Sequence, residues 1–208
     1  MLSDMADPAR RRATYQDVLD APEHVVAEIV AGELRLSPRP GGPHTSATSV
    51  LGMDLGPPFH RGRGGPGGWI ILDEPELHLG EDIVVPDLAG WRRERMPTIP
   101  SGAYFTVAPD WVCEALSRST EAWDRAHKLP VYAAAGVTHV WLVNAVQRTL
   151  EVLRRQGTQW LTLAVHHGEA RVRAEPFDAI ELDLAGLWAD AGPPPGSHAA
   201  EAALDYGA

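Results

Sequence analysis

The stretch from Asp110 to Val143 leaves few folds open. Asp110–Leu116 (DWVCEAL) is a short apolar, β-prone run. Thr120–Ala135 carries apolar residues at helical spacing, and Gly136 marks its end. Val137–Val143 (VTHVWLV) is a second apolar run. Strand, helix and strand joined by short links predict a mixed sheet with a helix crossing between the two strands. Glu114 is the one acid that interrupts the first run.

The flanking segments build a sheet around this unit. Thr14 reads as a helix cap, with Asp17 three residues on and Tyr15, Val18 and Leu19 behind it. Val25–Val30 and Glu33–Ser37 predict a hairpin whose two-residue turn is Ala31-Gly32. A helix is expected from His44 to Leu55, with Ala47, Leu51 and Leu55 on one face. Gly56–Gly68 (GPPFHRGRGGPGG) reads as a loop; it lacks the Gly-Lys-Ser/Thr of a phosphate loop. Trp69–Leu72 and Pro75–Leu79 predict strands, as does Ile83–Trp91, which opens on Ile-Val-Val. Thr149–Arg154, Gln159–Val165, Ala170–Ala174 and Ile180–Leu182 predict an antiparallel meander at the end. The expected class is therefore α/β (α+β), a mixed central sheet flanked by helices. The expected organisation is a basic arm over residues 1–12, one domain over 13–190, and a Pro/Gly/Ala-rich tail over 191–208.

Composition narrows the function classes. Hydrophobic residues make up 44% and charged residues 22% of 208 positions, an ordinary globular balance. No apolar run approaches the roughly 20 residues needed to span a bilayer, and the start has no secretory pattern. One cysteine, Cys113, excludes an internal disulfide framework and a Cys-rich zinc site. A cytoplasmic protein with no membrane partner is expected. The net charge of −10 argues against a broad electrostatic grip on nucleic acid, though not against a local basic groove. Of the 18 basic residues, 17 are arginine, and Lys128 is the one lysine.

Two acids sit in apolar company: Asp87, after Ile83-Val84-Val85-Pro86, and Glu114. A buried carboxylate costs several kcal/mol unless it gains a partner or a metal. The plain alternatives are an acid at a strand end pointing to solvent, or one paired with an arginine. Asp124, Lys128 and Tyr132 are spaced i, i+4, i+8, so they share a helix face that starts close to Glu114. The plain reading of that face is a surface Asp–Lys pair. Pro130 is expected to kink the helix after Lys128.

These residues together resemble the Uma-two (Uma2) family of restriction endonucleases, within the PD-(D/E)XK nuclease superfamily. The resemblance runs from about Thr14 to Leu187. It rests on Glu28-Ile-Val-Ala-Gly-Glu-Leu, on Pro38-Arg-Pro followed by His44, and on Val85-Pro86-Asp87. The most specific block is Ala108-Pro-Asp-Trp-Val-Cys-Glu114-Ala-Leu-Ser-Arg-Ser-Thr, continuing through Asp124, Lys128, Tyr132, Ala135-Gly-Val and Trp141-Leu-Val.

The resemblance implies a restriction-endonuclease-like fold and a metal-dependent endonuclease. Asp87 and Glu114 would bind Mg²⁺ or Mn²⁺, with the backbone carbonyl of Ala115 as a further oxygen and Glu28 in or beside the site. These hard oxygen donors suit such ions better than zinc. The sequence departs from the superfamily signature at Leu116, where a lysine is usual, and this nominates Lys128 on the next helix. Arg118 stands where a proline is usual and Asn144 where an aspartate is usual. Lys128 would orient the attacking water and balance phosphate charge. His44 would touch substrate or hold Glu28, and Tyr132 would pack or bond a phosphate oxygen. Arg92, Arg93 and Arg95 are candidates for phosphate contacts, or else a solvated charge run. The substrate would be nucleic acid, DNA ahead of RNA, and the tryptophan-rich strands offer a homodimer interface. The competing readings are an inactive nuclease-fold binding module and a metal-dependent hydrolase of another substrate.

Overall fold

The structure is a computed structural model that describes residues 11–192. Most of the expected tail and most of the expected basic arm lie outside those residues. Arg11 and Arg12, at the end of that arm, are tied down. Arg11 pairs with Asp17 at 2.6 Å and Arg12 with Glu81 at 2.8 Å.

Helix α1 (Tyr15–Leu19) is capped at Thr14, whose backbone N–H and hydroxyl both donate to Asp17. Strands β1 (Val25–Val30) and β2 (Glu33–Pro38) pair through the expected turn. Ala31 and Gly32 have φ of 54° and 81°, the left-handed pair such a turn requires. Helix α2 (Gly42–Leu55) buries Ala47, Leu51 and Leu55. The segment after it is not simply a loop. Gly56–His60 continues α2 as a widened π-helical turn that buries Pro58 and Phe59, and only the glycine-rich remainder is irregular.

Next come β3 (Trp69–Asp73), β4 (Leu77–Leu79), β5 (Asp82–Val84) and β6 (Leu88–Arg92). The single strand expected over Ile83–Trp91 is thus two. Pro86 cannot donate to a ladder, and the chain changes sheets there. Strand β5 belongs to an antiparallel sheet of order β2-β1-β5-β4. Strand β6 joins a second sheet with β7 (Trp111–Ala115), β8 (His139–Asn144), β9 (Thr149–Gln156) and β10 (Gln159–His167), in the order β10-β9-β8-β7-β6-β3. Only β7 and β8 are parallel in that sheet. The crossing segment comprises α3 (Glu121–Trp123), a π-helical turn (Asp124–Lys128) and α4 (Leu129–Ala135). Gly136, at φ 88°, ends it. The irregularity expected after Lys128 therefore falls one turn earlier, as a widened turn just before Pro130.

The meander also differs. Strands β9 and β10 form a long hairpin, whereas β11 (Arg171–Val172) and β12 (Leu182–Asp183) make a separate two-stranded ladder leading into α5 (Leu184–Trp188). The link between β11 and β12 carries Phe177 into the core instead of extending a strand.

The large sheet is covered on both faces. One face packs α2 and α5 against Trp69, Trp111, Trp141 and Phe177; the other packs the crossing helix against Trp91, Val140 and Leu142. The rings of these tryptophans lie inside the chain, packed in its own core. Gly90 lets the strand approach two rings closely: a Cβ there would sit 3.1 Å from the Trp111 ring and 3.3 Å from Trp69. Among the described residues no helix is long and apolar enough to cross a membrane.

Phe177 is fully buried against Phe59, Trp69, Trp111 and Trp141. Phe177→Ala is expected to lower unfolding free energy by about 3–5 kcal/mol. Urea denaturation measures this, and a loss below about 1 kcal/mol would contradict the packing described.

Candidate functional site

The two sheets meet at a seam, and four of the six buried polar residues described, Glu28, Glu114, Asp124 and Lys128, collect there. Glu28 comes from β1 of the smaller sheet and Glu114 from β7 of the larger. Asp87 sits on the link where the chain passes from β5 to β6, and Asp124 and Lys128 come from the π-helical turn. All five line one cavity of about 250 Å³, whose rim includes Arg39, His44, Ser117, Ser119 and Thr120.

Local structure explains each placement. On β1, Val26 and Glu28 alternate onto the cavity side. The face predicted from i, i+4, i+8 spacing forms, but it points inward rather than to solvent. Asp124, Lys128 and Tyr132 are all buried.

Lys128 is the hub. Its ammonium lies 2.8 Å from Glu114 Oε1 and 2.9 Å from Glu28 Oε1, and donates to the carbonyl of Val85 at 3.4 Å. Glu28 Oε1 also accepts from the Val85 N–H at 2.8 Å. The Tyr132 hydroxyl donates to Glu114 Oε1. Asp87 is held separately: Oδ2 accepts from the Ala115 N–H at 2.7 Å, and Oδ1 meets His44 Nε2 at 2.5 Å. The expected His44–Glu28 contact does not form. Tyr132 has no exposed surface and is not among the cavity-lining residues, so it bonds Glu114 and not a phosphate oxygen.

The charges do not balance locally. Relative exposures are 5% for Glu28, 4% for Glu114, 6% for Asp124 and 3% for Lys128, so water screens them weakly. Burial pushes the Glu114 carboxyl well above its usual range; Lys128 opposes this, while Asp124, Asp87 and Glu28 add to it. Burial also raises Asp124. Burial would lower Lys128, but the carboxylates of Glu114 and Glu28 outweigh it and hold the ammonium charged well above its usual range. Burial is the first cause for Glu114, and the neighbouring carboxylates are the cause for Lys128.

Among the described residues, no three His, Cys, Asp or Glu side chains converge on a point where they could hold a metal ion. Lys128 stands between Glu28 and Glu114, and His44 covers one oxygen of Asp87. The contacts to Glu28 and Glu114 described above all fall on Oε1 of each.

The arginines after β6 are not at this site. Asp87 precedes β6 and Arg92 ends it, so about five residues at about 3.3 Å each separate them by roughly 17 Å. Arg92 lies over the Trp69 ring, Arg93 donates to the His60 carbonyl, and Arg95 pairs with Asp110. The cation on the cavity rim is Arg39, from the Pro38-Arg39-Pro40 stretch. Its signal was that stretch's position just before His44.

A family model described as "Uma2: Putative restriction endonuclease" matches residues 13–185. A solved structure from Anabaena variabilis ATCC 29413, described as a putative nuclease belonging to DUF820, shares 23% identity and aligns with a TM-score of 0.69. The alignment covers 85% of this chain and 98% of that one. At that identity the likeness shows a shared fold. No curated protein matches the chain.

Lys128 is the only lysine, so ¹⁵N-lysine labelling yields one side-chain NMR signal. Its folded pKa is raised, so the stability it contributes is full below the ordinary lysine pKa of about 10.4 and is lost as pH rises through the higher folded value. The ammonium signal is expected to persist above pH 10.4 in the folded protein. Deprotonation at or below that pH would contradict the clamp.

Proposed function

The chain belongs to the Uma2 family, whose members are described as putative restriction endonucleases, and from that premise we propose that it is a metal-dependent nuclease hydrolysing phosphodiester bonds, in DNA ahead of RNA. The observation that carries this reading is the unbalanced acid cavity at the seam. Glu28, Asp87, Glu114 and Asp124 line it, and Lys128 is its one buried cation. Residues 13–190 would act as one unit.

The donor set fits Mg²⁺ or Mn²⁺. Mg²⁺ is commonly held by one or two carboxylates, with water and substrate phosphate completing six positions, so a closed cage of three side chains is not required. Asp87 and Glu114 would hold the ion, with the Ala115 carbonyl as a further oxygen. When bound, it would polarise the scissile phosphate and acidify a water.

The remaining roles belong to the chain itself. Lys128 holds Glu28 and Glu114 in place and sets a fixed positive charge near the charge developing on phosphate. With its N–H groups already directed at three acceptors, it contributes charge rather than a mobile proton. His44 bonds Asp87 Oδ1 and aims that carboxylate along the cavity wall. Arg39, Ser117, Ser119 and Thr120 offer donors for phosphate oxygens at the rim.

A binding module of nuclease fold is the second reading. It is favoured by the fully engaged Lys128 and by the net charge of −10.

Supercoiled plasmid and single-stranded DNA incubated with Mg²⁺ or Mn²⁺ separate the two. The wild type is expected to nick or cut. Asp87→Asn and Glu114→Gln are each expected to slow cutting by about 10²-fold or more. No cleavage of any nucleic acid by a folded wild type would leave the binding module standing.

A further inference from the structure

We propose that Tyr132 is a positioning residue that selects the oxygen with which Glu114 meets a divalent cation. The inference rests on the nuclease reading above.

Glu114 has two carboxylate oxygens, and the structure treats them differently. Oε1 takes both the Tyr132 hydroxyl and the Lys128 ammonium, the latter at 2.8 Å. Neither contact is to Oε2, and Glu114 lines the cavity. The last torsion of a glutamate is broad and roughly two-fold, so the carboxylate does not choose an orientation by itself. Two donors on one oxygen make that choice.

Lys128 is poorly suited to do so alone. It is a compact charge on a flexible stem, shared with Glu28 Oε1 at 2.9 Å and with the Val85 carbonyl at 3.4 Å. Tyr132 has one directional proton on a rigid ring. It is fully buried on α4, in the same apolar cluster as Leu129, Val131 and Leu142. Its hydroxyl donates to Glu114 Oε1. The ring therefore transmits the position of the crossing helix to one oxygen of the acid. Groups that orient a ligand in this way commonly change metal affinity 10–100-fold when removed.

A merely structural tyrosine would satisfy a buried acid and nothing more. Its loss would lower metal-free stability and leave cation affinity per folded molecule unchanged. The test is a Mn²⁺ titration of wild type and Tyr132→Phe, with free Mn²⁺ read by electron paramagnetic resonance and metal-free thermal unfolding measured alongside. Tyr132→Phe is expected to bind Mn²⁺ about tenfold more weakly. In a Glu114→Gln background the same substitution is expected to change Mn²⁺ affinity no further. Unchanged affinity in Tyr132→Phe, or an equal loss in both backgrounds, overturns the role of Tyr132 while leaving the nuclease reading intact. A wild type that binds no Mn²⁺ overturns both.

Discussion

One ammonium joins the parts of this molecule that matter for its chemistry. Lys128 reaches Glu28 on β1, Glu114 on β7 and the backbone of Val85 on the link between sheets. Those three belong to two different sheets and the link that passes between them. Removing one partner of a buried ion pair costs about 3–5 kcal/mol, because the other charge is left uncompensated. Whole domains have about 5–15 kcal/mol in hand. The contact that gathers the acids is therefore also one that the fold depends on.

The seam exists because the chain changes sheets at Pro86. A continuous strand over Ile83–Trp91 would carry Asp87 along one ladder, with its neighbours alternating between faces. Splitting the strand frees Asp87 to turn toward β7, where the Ala115 N–H meets it one residue from Glu114. The π-helical turn does comparable work on the opposite wall. It brings Asp124 and Lys128 inward together, in a segment whose next residues, Leu129–Ala135, are packed against the large sheet. Widened turns of this kind recur at functional sites. Here the turn sits directly before Pro130, which removes a backbone donor from the regular helical ladder.

Much of this was legible in the residues. Glu114 and Asp87 stood out because acids in apolar strands need partners, and both have them. The hairpin turn at Ala31-Gly32, the crossover and its end at Gly136 follow from local rules. The spacing of Asp124, Lys128 and Tyr132 predicted one shared face, but spacing alone does not say whether a face turns to water or to the core. Other features depend on tertiary contacts that no short window encodes. His44 bonds Asp87 rather than Glu28 because α2 runs past the seam on the Asp87 side. Arg92, Arg93 and Arg95 follow Asp87 closely in sequence, yet an extended strand carries them to the far end of the sheet. The tryptophans read as possible interface residues because their strands are apolar. The structure spends that area on its own two-sided core.

The central claim is that Asp87 and Glu114 together hold a divalent cation at the seam. A crystal grown with Mn²⁺ and measured for anomalous scattering tests it most directly. The account predicts a peak between the two carboxylates, about 2.0–2.6 Å from an oxygen of each, with Oε1 of Glu114 still bonded to Lys128. A well-ordered site with no peak there, and with Asp87 still closed on His44, would contradict it.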